Sequence, residues 1–115
     1  MTIDKKLLGR YGEKIAADFL IKKGYTILAS GYRGRFGEID LIARQGELVC
    51  FVEVKTRQDN TYLAASAAVD SEKRRRIIAT ANQWLGENEG DWQIRYDIVE
   101  VYVALKKIKH IKDAF

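Results

Sequence analysis

The chain has one cysteine, Cys50, and one histidine, His110, among its 115 residues. A single cysteine excludes an intramolecular disulfide and a cysteine-rich zinc module, and a single histidine excludes a metal site made of several imidazoles. The longest apolar run, residues 48–52, is too short to cross a bilayer, and we find no secretion signal. These absences predict a cytoplasmic protein without a membrane segment, in which hydrolytic chemistry would depend on carboxylates, lysine and a metal ion.

The composition that remains is that of an ordinary globular protein. Hydrophobic residues make up 47% and charged residues 31% of the chain, which excludes wholesale disorder and a fibrous structure. The length leaves room for one domain, which we predict to cover residues 1–115. The net charge of +4 is compatible with a polyanionic partner such as nucleic acid.

Hydrophobic periodicity predicts a helix, three strands, a second helix and one or two further strands. The first helix covers residues 3–23, and its apolar stripe contains Leu7, Tyr11, Ile15 and Phe19, with Leu8, Ala16 and Leu20 beside it. Strands are predicted over residues 25–30, 38–44, 48–56 and 95–105, with a short edge strand over 107–111. A basic, glycine-rich connector covers residues 31–37, and residues 86–90 end a helix that begins at residue 70. Residues 57–69 fit either a loop or a frayed helix start.

Two acidic residues and a lysine fall at the ends of neighbouring predicted strands. Glu53 and Lys55 share one face of the third strand, and the short turn after the second strand predicts an antiparallel hairpin that brings Asp40 near Glu53. Adjacent carboxylates repel each other unless one is protonated or a cation neutralises them, and Mg²⁺ commonly takes one or two carboxylates. A solvated acidic edge and an exposed Glu53–Lys55 ion pair are the alternatives.

The first helix offers a third acidic side chain, Glu13. Gly9 and Gly12 lie beside it, and glycine lowers helix stability, so both suggest that another backbone or a ligand comes close. Glu13 would then join the acidic pair from the helix. The alternative is a surface glutamate that pairs with Arg10 or Lys14.

Basic and aromatic residues are interleaved near these acids. The basic candidates for nucleic-acid contact are Arg33, Arg35, Arg57 and Lys73. Guanidinium groups suit phosphate oxygens, and a helix N-terminus such as that near Lys73 favours anions. Tyr32, Phe36 and Tyr62 are suited to stacking on unpaired bases. A purely solvated basic surface is the alternative.

The order Glu13, Asp40, then Glu53-Val54-Lys55 resembles the core of the PD-(D/E)XK nuclease superfamily, which includes archaeal Holliday junction resolvases. The segments 9–13 (GRYGE), 37–42 (GEIDLI), 51–57 (FVEVKTR) and 95–97 (RYD) are similar to the YraN-like family of small bacterial proteins. This resemblance implies an α/β domain with a restriction-endonuclease-like αβββαβ core, in which helices flank a central mixed sheet. One departure is that Ile39 precedes Asp40 where the superfamily pattern has proline.

The resemblance also implies roles for individual residues. Asp40, Glu53 and the Val54 carbonyl would hold Mg²⁺ or Mn²⁺, and Lys55 would orient or activate the attacking water. Glu13 would act through the water shell of the metal. Arg57 and Lys73 would contact the phosphodiester backbone.

We therefore expect a metal-dependent endonuclease that acts on DNA, including branched DNA, as a homodimer. The alternatives are a nucleic-acid-binding module that keeps the nuclease scaffold without turnover, and a protein-interaction domain in which the acidic residues form structural ion pairs.

Overall fold

The computed structural model describes residues 4–58 and 69–115. In chain order these residues form α1 (Lys5–Lys22), β1 (Thr26–Arg33), β2 (Glu38–Gln45), β3 (Leu48–Arg57), α2 (Ser71–Glu87), β4 (Gln93–Tyr102) and β5 (Lys107–Ile111). Residues 59–68, and with them Tyr62 and most of the stretch predicted as a loop or frayed helix, lie outside the described residues.

Both helices begin at an aspartate that caps their free amide groups. The Asp4 carboxylate accepts a hydrogen bond of 2.8 Å from the Lys6 amide, and the Asp70 carboxylate accepts one of 2.8 Å from the Lys73 amide. After α1 the chain turns at Gly24, whose φ of 97° is a conformation that glycine adopts readily. Capping thus fixes where each helix starts, and Gly24 marks where α1 gives way to the sheet.

The five strands form one mixed sheet in the order β1-β2-β3-β4-β5. The β1–β2, β2–β3 and β4–β5 pairs are antiparallel, whereas β3 and β4 are parallel. A parallel pair needs a long crossover, and α2 supplies it between β3 and β4. The order of the elements confirms the predicted αβββαβ core, with β5 added at the edge as expected.

Within residues 4–58 and 69–115, each face of the sheet carries one helix and one apolar core. The α1-side core contains Ala16, Leu20, Tyr25, Leu41, Ala43, Cys50, Val52, Val99 and Val101. The α2-side core contains Ile39, Ile42, Val49, Phe51, Val69, Ile77, Ala81, Trp84 and Ile98. Consecutive β3 residues alternate between these two cores because side chains of a strand point alternately to its two faces. The molecule is a single α/β domain with three layers.

Several element boundaries differ from the predictions. β1 continues through Gly31 to Arg33, so the connector is shorter than predicted, and α2 continues through Gly86 to Glu87 before it ends. β4 ends at Tyr102, three residues earlier than predicted. Pairing explains the strand differences, because β1 stays in register with β2 as far as Arg33 opposite Glu38.

The buried stripe of α1 also differs from the predicted one. Leu7 and Tyr11 are 59% and 53% exposed, whereas Gly12, Ala16 and Leu20 are buried. α1 meets β3 at Gly12, where an added Cβ would overlap the Thr56 hydroxyl. The helix therefore packs on the sheet through small residues, and the larger side chains of its first turns face outward. No helix of residues 4–58 and 69–115 is long and apolar enough to cross a membrane.

This contact predicts opposite effects for the two glycines of α1. Gly12→Ala should lower the free energy of unfolding by about 1–3 kcal/mol, because the new methyl group has no space beside Thr56. Gly9→Ala is the matched control: its Cβ would meet nothing within 4 Å, so the better helix propensity of alanine should raise stability by about 0.5–1 kcal/mol. Urea unfolding measures both, and equal changes in the two variants would contradict the close approach of α1 and β3.

Candidate active site

The site lies where β2 and β3 separate. Their antiparallel register ends with Leu41 opposite Val52, so the next residues, Asp40 and Glu53, lie opposite each other at the end of the ladder. The Val54 amide, one residue further, donates a hydrogen bond of 2.8 Å to the Asp40 carboxylate instead of to a β2 carbonyl. The predicted proximity of Asp40 and Glu53 follows directly from this register.

The opening also exposes a backbone acceptor. In a strand the N–H and C=O groups of one residue point to the same side. Because the Val54 amide points towards Asp40, the Val54 carbonyl points into the same gap, beyond the last β2–β3 pair of the described ladder. Two carboxylates and one carbonyl oxygen thus share the space where the strands part.

α1 contributes Glu13 to this gap. The close approach of Gly12 to Thr56 brings the next residue of the helix to the end of β3. The resulting cleft has a volume of about 390 Å³. Its lining residues are Lys5, Leu8, Gly9, Glu13, Asp40, Glu53, Val54 and Thr56. The cleft therefore brings together the three acids that the sequence singled out.

The acidic residues of the cleft raise one another's pKa. Burial, followed by the negative charge of Glu53, raises the pKa of Asp40 to about 7, although the hydrogen bond from the Val54 amide opposes this shift. Burial also raises the pKa of Glu13, and the charges of Glu38 and Glu53 add to the effect. Accumulated negative charge of this kind favours a cation or a proton in the cleft.

Glu53 has an ion pair within the protein. Its side chain is 9% exposed, and its carboxylate lies 2.5 Å from the ammonium group of Lys73 on α2. Lys73 was predicted to contact a phosphodiester backbone; in the structure its ammonium neutralises Glu53. Because the lysine side chain is itself 40% exposed, it borders both the cleft and the solvent.

Lys55 lies two residues beyond Glu53 on the same face of β3 and opposite Glu100 of β4. Partial burial lowers its pKa, and the positive charges of Lys73 and Arg57 lower it further, while Glu53 and Glu100 act in the opposite direction. A lysine with a lowered pKa is easier to deprotonate than an exposed one, which suits a group that handles a water molecule.

The donor atoms fit a hard divalent cation. Asp40, Glu53 and the Val54 carbonyl offer oxygen ligands only, and Mg²⁺ typically combines one or two carboxylates with waters and substrate phosphate. Within residues 4–58 and 69–115, no three side chains of the His, Cys, Asp and Glu types form a cage that could hold a metal by themselves. A cation held by these three oxygen donors would need waters or substrate to complete its coordination.

The remaining basic candidates occupy three different places. Arg33, at the end of β1, pairs with Glu38 at 3.4 Å and is 81% exposed. Arg35 lies in the turn before β2, and its guanidinium carbon is 5.7 Å from the centre of the Phe36 ring. Arg57 is the last residue of β3. The structure therefore does not gather these three arginines into one cluster; Arg57 is the one that lies on the strand carrying Glu53 and Lys55.

A second polar cluster was not predicted from the sequence. Asp97 of β4 is fully buried and accepts hydrogen bonds from Arg95, from His110 and from the Asp113 amide. Arg95 also donates to the Tyr25 hydroxyl at 2.8 Å. The available signal was the Arg95-x-Asp97 spacing, which places two opposite charges on one face of a strand. The cluster ties β4, β5 and the start of β1 together.

Fold and cleft define the class: an α/β domain with a five-stranded mixed sheet and an acidic cleft at the end of a central strand. Residues 12–101 match the family model described as "Uncharacterised protein family UPF0102". The chain belongs to this family, which the YraN-like resemblance had indicated.

Proteins of the same family from distant bacteria match nearly the whole chain. The UPF0102 protein of Caldanaerobacter subterraneus subsp. tengcongensis is 43% identical over 119 residues, covering 98% of this chain and 98% of that protein. The UPF0102 protein of Nocardia farcinica is 44% identical over 116 residues, covering 97% and 91%. The one from Clostridioides difficile is 39% identical over 114 residues, covering 98% and 100%. The similarity thus extends over nearly the full length of both this chain and its relatives.

Proposed function

We propose that the protein is a metal-dependent endonuclease that hydrolyses DNA phosphodiester bonds, including those of branched, Holliday-junction-like DNA, in the cytoplasm. The observation that carries this proposal is the meeting of Asp40, Glu53 and the Val54 carbonyl where β2 and β3 part. Buried carboxylates that repel each other are costly to fold, and a divalent cation offsets that cost while serving phosphodiester chemistry. The resemblance to the PD-(D/E)XK superfamily supports the same assignment.

Each residue of the cleft has a distinct part in this proposal. Asp40, Glu53 and the Val54 carbonyl would hold Mg²⁺ or Mn²⁺, which would polarise the phosphoryl group and lower the pKa of the attacking water. Lys55 would orient that water or accept its proton. Glu13 would hydrogen-bond waters at the helix side of the cleft, Arg57 would contact a phosphate, and Lys73 would contact one from the solvent side of its ion pair with Glu53.

The test is a cleavage assay with linear, nicked and four-way-junction DNA in Mg²⁺ or Mn²⁺. We expect the wild-type protein to cleave at least the junction, and Lys55→Ala and Asp40→Asn, purified in the same way, to be inactive. Equal activity in all three preparations would identify a contaminating nuclease and refute the proposal. Inactivity of the wild type with both metals on all three substrates would refute it as well.

A non-catalytic nucleic-acid-binding module is the second candidate, and the ion pair between Glu53 and Lys73 favours it. An internal ammonium group already neutralises Glu53 at 2.5 Å, so this carboxylate is satisfied without a metal ion. Such a module would bind DNA with an affinity that falls steeply as salt is added, because each neutralised phosphate releases counterions. Salt-dependent binding together with the absence of cleavage under both metals would establish this function instead.

Action on a four-way junction also leads us to propose a homodimer. A junction presents two symmetric strands, and a two-fold dimer presents two equivalent clefts. Sedimentation of the free protein measures the oligomeric state beside the cleavage assay, and the mass of a single chain throughout the working concentration range would contradict the dimer.

A further inference from the structure

A short turn fastened to α2 lies between β1 and β2. In this segment, residues 34–37, the Gly34 amide donates to the Gly37 carbonyl at 2.8 Å, and the Arg35 amide donates to the Gln83 side chain at 2.9 Å. A Cβ at Gly34 would come within 2.7 Å of the Gln83 side-chain oxygen, so glycine is what allows this close contact. We call residues 34–37 the Phe36 turn.

The Phe36 turn presents an aromatic ring to the solvent. Phe36 is 53% exposed although the backbone around it is held by α2. Tyr32, the other aromatic candidate of the described connector, is engaged instead: its hydroxyl donates to Glu87 at 2.6 Å, and its ring packs against the α2-side core. A solvent-exposed aromatic ring contributes little to folding stability. Because the backbone that carries it is held in place, the ring is well suited to contact a partner.

One arginine contacts this ring, and another lies beside the turn. The Arg35 guanidinium carbon lies 5.7 Å from the ring centre, and a Cβ at Gly37 would lie 3.7 Å from the Cβ of Arg76. Arg33 and Arg75 are 81% and 77% exposed. Glu38 and Glu72 pair with these arginines at 3.4–3.7 Å, but exposed ion pairs of this kind are weak and exchange readily for phosphate. A partner that combines anionic charge with flat apolar faces matches this surface best.

The Phe36 turn is also close to the cleft. Phe36 precedes Asp40 by four residues, so even a fully extended chain separates their Cα atoms by at most about 14 Å. A nucleic-acid strand that lies in the cleft would therefore pass the ring within a few nucleotides. Bases of a continuous duplex are already stacked on each other, whereas an unpaired base can stack on an aromatic side chain.

We propose that Phe36, supported by Arg35, is a stacking platform for an unpaired nucleobase beside the cleft, and that it selects DNA with unpaired or junction bases over continuous duplex. The proposal deepens the proposed function, since it rests on DNA lying in the cleft, but it concerns binding and does not require cleavage. It also separates Phe36 from Tyr32, the two aromatic candidates within the described residues, by what surrounds each ring.

The test measures DNA binding in metal-free buffer, where cleavage does not interfere. The probes are a duplex and a junction of the same sequence that carries 2-aminopurine at the branch point. Phe36→Ala should weaken junction binding about tenfold or more and remove the quenching of 2-aminopurine, with duplex binding changed less than about twofold. Phe36→Trp should restore both signals, because tryptophan offers a larger stacking face.

Ile94→Ala is the matched control, since it removes an apolar side chain that is 45% exposed at the start of β4. It should leave both affinities unchanged. Equal losses for junction and duplex in Phe36→Ala, unchanged junction binding, or no DNA binding at low salt would each overturn the stacking platform. Selective binding of the junction without any cleavage would support the stacking platform and refute the endonuclease. Cleavage by Phe36→Ala with an unaltered preference for the junction would support the endonuclease and refute the stacking platform.

Discussion

Substituting asparagine for Asp97 is expected to lower the free energy of unfolding by about 3–5 kcal/mol, the usual cost of removing one partner of a buried charged pair. The carboxylate has no exposed surface, and both of its oxygens accept: two hydrogen bonds of 2.8 Å come from Arg95, one of 2.8 Å from His110 and one of 3.0 Å from the Asp113 amide. Asparagine keeps one acceptor oxygen, but its NH₂ group replaces the other oxygen and would face N–H groups that need an acceptor. The variant would leave the half-buried Arg95 guanidinium without its carboxylate partner.

Urea unfolding at neutral pH measures this loss of stability. Tyr25→Phe is a milder substitution in the same cluster and serves as the comparison. The Tyr25 hydroxyl accepts one hydrogen bond of 2.8 Å from Arg95, so its removal should cost only about 1 kcal/mol and leave a folded protein. If Asp97→Asn cost no more than Tyr25→Phe, the cluster would not be the main polar link between β4, β5 and the start of β1.

The Asp97 carboxylate also makes the stability of the protein depend on pH in the acidic range. Burial alone would raise the pKa of Asp97, but hydrogen bonds from His110 and Arg95 outweigh it and hold the pKa at about 2, below its ordinary value of 3.8. Because the folded-state pKa is the lower one, the stabilisation is complete above about pH 4 and is lost as the pH falls through 2.

The shift corresponds to about 2 kcal/mol. The difference in stability between the wild type and Asp97→Asn should therefore shrink by that amount when the pH is lowered from 5 to below 2. Arg95, His110, Tyr25 and Cys50 face Asp97 in both proteins, so the difference reports on the carboxylate. A constant difference over this range would contradict the assignment.

The sequence predicted the order of the elements because the periodicities are strong and the turns are short. The β2–β3 hairpin follows from the short turn of residues 45–47 between two strand segments. The parallel pairing of β3 and β4 was not predicted from the residues, since a mixed sheet was only what the family resemblance implied. The buried stripe of α1 could not be predicted in this way. A repeat of large apolar residues favours Leu7 and Tyr11, whereas the sheet selects Gly12 and Ala16 because small residues let the helix approach β3.

The candidate site was predictable to the extent that it depends on local register. Asp40 and Glu53 lie opposite each other because the hairpin fixes which residues pair. Contacts between distant segments carried no such signal: the direction of Lys73 towards Glu53 depends on where α2 lies on the sheet, and the meeting of Asp97 with His110 depends on the β4–β5 pairing. Single charged residues inside apolar strands were the only trace of these contacts in the sequence.

Asp40→Asn should separate the stability of the cleft from its proposed chemistry. Asparagine still accepts the hydrogen bond from the Val54 amide, so the junction of β2 and β3 is kept. In metal-free buffer the variant should be more stable than the wild type by about 1 kcal/mol, because it removes a buried negative charge that the charges of Glu53 and Glu13 oppose. Asp91→Asn, an exposed aspartate between α2 and β4, is the matched control and should change nothing.

Under the proposed function, the same substitution should reduce cleavage in Mg²⁺ by about 10³-fold, since loss of a metal ligand would remove several kcal/mol of transition-state stabilisation. We also expect Mg²⁺ to raise the melting temperature of the wild type but not of the variant, because binding to the folded state alone is what raises stability. A variant that is more stable without metal, but that loses both cleavage and stabilisation by Mg²⁺, would show that Asp40 serves metal binding although it destabilises the fold. A variant that is less stable than the wild type without metal would mean that Asp40 serves the fold, and the repulsion that calls for a cation would then have no basis.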